Sequence, residues 1–157
     1  MRPALSHSCA ALALFASLHG IATAQANPLL GCWKGETVTQ FLADGRHETQ
    51  QSAGGLEYTS GEIISRSLSP RPPSEIRYRY FIVRPGVYTA TMMSHSHRPD
   101  LIDSYRDYEY KVEDDRLYIT TNPQTTQPAP PTAAVRVEST SRSVPCSELR
   151  PPTDDRA

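Results

Sequence analysis

The sequence is short of several things. Lysine occurs only at Lys34 and Lys111 and tryptophan only at Trp33, and neither sign of charge dominates: 16 Lys plus Arg stand against 17 Asp plus Glu in 157 residues, a formal net charge of -1. Without a basic excess there is no electrostatic reason for a nucleic acid or an anionic membrane to be the partner. Long apolar runs are also scarce. The one at Cys9 to Leu18, CAALALFASL, falls well short of the ~20 residues a spanning helix needs, so no transmembrane segment is expected. Also missing are a Gly-x-Ser-x-Gly elbow, a phosphate-cradling glycine loop and a His-Glu-x-x-His pair, the usual signatures of hydrolase, nucleotide and zinc chemistry. Acidic pairs stand at Asp114-Asp115 and Asp154-Asp155, at a hairpin tip and in the tail, where carboxylates are ordinarily solvated. Neither an enzyme nor a resident cofactor is expected.

What is present starts with an address. Arg2, the apolar stretch and the small-residue triplet Ala22, Thr23, Ala24 have the layout of a secretory signal peptide cleaved before Gln25. Residues 1–24 are expected to be removed, 25–146 to form one domain and 147–157 a flexible tail, in a periplasmic or secreted product. Cys9 leaves with the signal, and two thiols in an oxidising compartment, Cys32 and Cys146, most simply form one disulfide. Closing so long a loop contributes about 4 to 5 kcal/mol in the chain-entropy account. The alternative is that Leu29, Leu30, Gly31, Cys32 is a lipoprotein processing box, with Cys32 acylated and the protein lipid-anchored. One sulfur cannot serve both fates.

The rest of the chain reads as strands. WKGETVTQFL from Trp33 to Leu42 is rich in Thr and Val and ends at Asp44-Gly45, a hairpin signal, before His47 to Gln51 returns. Leu56 to Leu68 reads as one longer strand bent at Gly61. Glu75 to Val83 alternates, with Ile76, Tyr78, Tyr80 and Ile82 on one face. Val87 to Ser94 follows, then Tyr105 to Val112 turning through Glu113 to Asp115 into Arg116 to Thr121. Asn122 to Thr132 carries four prolines and cannot hold a ladder. Ala133 to Ser139 supplies a last short strand. About eight strands joined mainly by short turns predict an all-β, up-and-down antiparallel barrel, whose closure removes exposed edges. A two-sheet sandwich is the alternative.

Gly31, Cys32, Trp33 has the Gly-x-Trp form that opens the first strand in the calycin superfamily, and LLGCWKGE followed by the ADGR hairpin resembles small lipocalin-like domains of bacterial envelopes. Asp107-Tyr108, within SYRDYEY, resembles the Asp-Tyr of the second lipocalin motif, with Arg106 where a Thr is usual. Arg136 or Arg142 would match the arginine that packs over the first-strand tryptophan. The resemblance implies an up-and-down barrel that binds a small or hydrophobic molecule inside.

The residues themselves offer a tyrosine wall. Tyr78, Tyr80, Tyr88 and Tyr110 fall on successive strands, and phenols combine an apolar face with a polar tip suited to a semi-polar ligand; Trp33 is read first as a plug and second as a ligand contact. The runner-up is copper or zinc. Met93, His95 and His97 would share a face if their strand runs that far, with Asp100 or Asp103 completing the set. A third reading is a scaffold whose loops bind or inhibit another protein.

Overall fold

The computed structural model describes residues 26–67, 74–123 and 130–150; the expected signal peptide, and the tail beyond residue 150, lie outside the described residues. Among the described residues nine strands follow in chain order: β1 Gly31–Leu42, β2 His47–Gln51, β3 Gly54–Tyr58, β4 Glu62–Ser67, β5 Ser74–Arg84, β6 Val87–His95, β7 Tyr105–Glu113, β8 Arg116–Thr121 and β9 Ala134–Val144. All pairings are antiparallel. β2 lies along Thr37–Phe41 of β1 and β3 along Gly31–Lys34, so the two share one position beside β1 and nine strands fill eight places round a ring. β1 closes the ring against β9, from Cys32↔Val144 to Leu42↔Ala134. One sheet curls on itself. That decides between barrel and sandwich in favour of the barrel.

The step from β2 to β3 has a steric cause. The β1–β9 register slips between Gly35 and Thr37, and a Cβ on Gly35 would lie 2.1 Å from Ser52 Oγ, so only glycine lets Ser52 approach. The Ser52 amide then donates to Glu36 O at 3.0 Å.

Two expected strands differ. The run expected as a single strand, Leu56 to Leu68, is instead a hairpin, because Thr59 closes a turn around Gly61. Its amide donates to Glu62 O at 2.9 Å and its hydroxyl oxygen accepts the Glu62 amide at 3.2 Å. The last strand runs to Val144 rather than Ser139, because β1 offers it a partner along its whole length. The first residues of the expected flexible tail, from 147, are ordered as well. Cys146–Leu149 forms a 3-10 turn in which Leu149 is fully buried, beside Cys32 and Val144 on the outer face of β1.

The main core is the barrel interior. Trp33, Tyr58, Ile63, Tyr80, Tyr88, Ala90, Leu117 and Ile119 are buried there with Leu29. Alternation does this: cross-strand partners such as Tyr58↔Ile63, Tyr88↔Tyr108 and Tyr110↔Ile119 project to one face.

The Cys32–Cys146 disulfide is formed. It occupies the sulfur that lipidation would need. Among the described residues no helix is long and apolar enough to cross a membrane.

Candidate functional site

One end of the barrel is sealed by the chain that leads into β1. Asn27 folds back on itself, its Oδ1 accepting the Leu29 amide at 3.0 Å, while its Nδ2 donates to Tyr80 Oη at 2.7 Å. Trp33 Nε1 donates to Leu29 O at 2.8 Å. Trp33 is thus a plug whose one polar atom is spent. Tyr80 belongs to the same seal, its hydroxyl donating to Thr59 O at 2.8 Å.

Above the seal a tyrosine cluster forms a floor. Tyr58, Tyr80 and Tyr88 meet edge to face, with ring centroids 5.5 to 6.1 Å apart, the arrangement that ring quadrupoles favour. Tyr58 and Tyr88 share a hydrogen bond of 3.0 Å, and Tyr108 stacks on Tyr88 at 5.0 Å. Over this floor a half-open cavity of about 260 Å³ remains inside the ring, walled by Val38, Leu56, Tyr78, Tyr108, Ile119 and Val137 among others. Of the tyrosines expected to line a pocket, Tyr78 and Tyr88 do so. Tyr80 and Tyr110 do not: Tyr80 is held in the seal, and Tyr110 borders a separate depression of about 590 Å³ at the sealed end, together with Asn27, Arg84 and Lys111. That depression is larger, but it is lined in part by the Ala26–Pro28 segment, whereas every residue lining the interior cavity lies on a strand of the ring.

Burial sets the electrostatics. Desolvation pushes the Tyr58 and Tyr88 phenols far above their ordinary value of 10.0, and Tyr78 up to about 12. The floor is therefore neutral at physiological pH. Tyr108 is also raised by desolvation, and at both Tyr78 and Tyr108 the nearby positive charge of Arg106 acts in the opposite direction. Arg106 lies opposite Ala90 in the β6–β7 register, but lines an outer pocket with Asp107 and Glu109. Sequence reading missed Tyr58.

The expected metal set is not assembled as the period-two reading requires. β6 does reach His95, but the β5–β6 ladder passes from Tyr78↔Met92 to Arg77↔Ser94 and skips Met93, which breaks the alternation. His95 Nδ1 accepts the amides of His97 and Arg98 at 3.1 and 3.2 Å, so that nitrogen shapes the turn. Asp100 pairs with Arg98 at 2.8 Å. Among the described residues no third His, Cys, Asp or Glu joins His95 and His97 within ligand reach.

The partners expected from the lipocalin resemblance are also rearranged. Arg136 stands 5.4 Å over the ring of Phe41 and pairs with Glu138, and Arg142 pairs with Glu148 at 3.6 Å, so neither is placed on Trp33. The Asp107 carboxylate accepts from Thr89 Oγ1 on the neighbouring strand.

No family model and no curated protein matches the sequence. Solved structures match its fold. A lipocalin-like protein from Bacteroides uniformis ATCC 8492 is 11% identical, with a TM-score of 0.50, over 75% of this chain and 100% of its own. An uncharacterized protein from Bacteroides eggerthii DSM 20697 is 7% identical with a TM-score of 0.48, over 73% of this chain and 98% of its own. The ring of eight strand positions closed by β1 against β9, together with the likeness to the first of these structures, gives this chain a lipocalin-like fold.

Proposed function

We propose that this protein is exported and holds one small, largely apolar molecule non-covalently inside the barrel. The cavity of about 260 Å³ above the tyrosine floor carries the reading. It lies just below the usual range of ligand-pocket sizes and has room for a guest on the order of ten non-hydrogen atoms. Eight strands enclose about this much space. The walls favour an apolar body, since Val38, Leu56, Ile119 and Val137 offer no polar side-chain atom, while phenols at the rim of the same space accept a polar tip. The disulfide and the signal-peptide layout at the amino terminus support export to an oxidising compartment.

Native mass spectrometry of the protein isolated from its host tests this. A retained small molecule, lost on denaturation and absent from an Ala90→Leu variant whose cavity is filled, is the expected result. Wild-type protein that carries nothing and binds no small apolar probe would overturn the reading.

A further inference from the structure

A closed ring hides its edges only where neighbouring strands run level, and β5 outruns β4. Their register ends at Glu62↔Arg79, followed by the Tyr80 amide donating to Gly61 O at 3.0 Å. Beyond that bond, among the described residues, only β6 pairs with β5. Backbone groups alternate sides along a strand, so Ile82, two residues past Tyr80, turns its amide and carbonyl towards the side that β4 has left. The space there is open: Ile82 and Arg84 both line the depression of about 590 Å³ at the sealed end.

Exposed strand edges are ordinarily blunted by charge, proline or a bulge, but this one carries three apolar residues in a row. Phe81 is 60% exposed, Ile82 38% and Val83 55%. Opposite charges stand at its two ends, Glu62 at the start of β4 and Arg84 at the end of β5. Neither side chain makes an ion pair or a hydrogen bond among the described residues.

We propose that this edge joins two copies of the chain across a two-fold axis at Ile82, their β5 strands antiparallel. Each Ile82 amide then donates to the Ile82 carbonyl of the other copy, a closely spaced pair of the antiparallel kind. Counting outward from the axis, Phe81 of one copy meets Val83 of the other, an aromatic against a β-branched side chain, and this happens twice. Arg84 of each copy reaches the end of the other's free stretch, where Glu62 stands. One patch thus answers itself, as a two-fold interface requires. A bilayer could take the apolar side chains, but it offers the Ile82 backbone no partner. The seam cannot lengthen into a growing sheet: β4 blocks one end, and at the other the β5–β6 ladder skips Val83 between Ile82↔Tyr88 and Arg84↔Val87. So short a seam gives a small interface, and the dimer should form reversibly with concentration.

The test is sedimentation equilibrium of the purified protein over a range of concentrations. Wild type is expected to pass from monomer to dimer. Arg84→Glu sets two acidic groups at each end of the seam and should raise the dissociation constant about tenfold or more, and Glu62→Arg should do likewise. Both changes in one chain restore opposite charges and should return the constant close to that of wild type. Phe81→Lys should leave only monomer. Equal thermal midpoints at a dilution where every variant is monomeric separate loss of the dimer from loss of the fold. Wild type that stays monomeric at every concentration overturns the proposal, whether or not it binds phosphatidylglycerol vesicles. So does a dimer that Arg84→Glu and Phe81→Lys leave intact, or a charge-swapped double variant no tighter than the single ones, because the copies then meet elsewhere.

Discussion

At the base of the cavity Tyr58 and Tyr88 satisfy each other through one hydrogen bond of 3.0 Å in a buried setting. Tyr58→Phe leaves the Tyr88 hydroxyl without its partner and should cost about 1 to 3 kcal/mol, while adding Tyr88→Phe should recover part of that loss, because no orphaned hydroxyl then remains. Denaturant titration of the two single variants and the double variant measures this; strict additivity would contradict the pairing. The same phenols, together with that of Tyr78, set an alkaline limit. Their folded pKa values are raised above the ordinary 10.0, so above about pH 10 the folded protein keeps protons that the unfolded chain has lost. Their stabilisation is complete below about pH 10 and is lost as pH rises towards the folded values, about 12 for Tyr78. Unfolding midpoints should hold level up to about pH 10 and then fall; a level profile beyond that would contradict the burial. Tyr78 was legible at this scale because Ile76 to Ile82 alternates cleanly. Tyr58 was hidden by reading Leu56 to Leu68 as one strand.

Between elements, the least legible contact is the carboxy-terminal turn. Its composition, with Pro145, Ser147 and Glu148 around the cysteine, gives no sign that Leu149 is buried. The reciprocal signal lies 94 residues away in β3, where a Cβ on Gly55 would meet Leu149 Cδ2 at 2.4 Å and Trp33 O at 3.0 Å. Gly55→Ala should therefore displace the turn and cost about 1 to 3 kcal/mol by overpacking. Leu149→Ala should cost about 2 to 5 kcal/mol by leaving a cavity. Combined, they should cost less than their sum, since the smaller side chain makes room for the new methyl. Thermal denaturation of the three variants decides it, and full additivity would mean that the two residues do not share a space. Hairpins were easier to foresee: Asp44-Gly45 and Asp114-Asp115 mark their turns, with Gly45 and Asp114 at positive φ.

For the whole molecule, the ring is held twice near the same place, by the β1–β9 ladder and by the Cys32–Cys146 bond at one end of it. Reduction should leave the ladder formed but lower stability by up to about 4 to 5 kcal/mol, read from denaturant curves with and without reductant. An unchanged curve would show that the ladder alone sets stability. Strand count and approximate boundaries foretold the barrel, but the space inside it could not be read from the sequence. That space depends on which large side chains fill the floor, and Tyr58, Tyr80 and Tyr88 leave the region beneath Tyr78 and Tyr108 free. Xenon enters apolar cavities without needing a chemical match, so the decisive measurement is a crystal structure of the wild-type protein under xenon pressure. Xenon density between Leu56, Ile119 and Tyr108 is the expected result, and an interior closed by inward-swung tyrosines, with no xenon, would contradict the account.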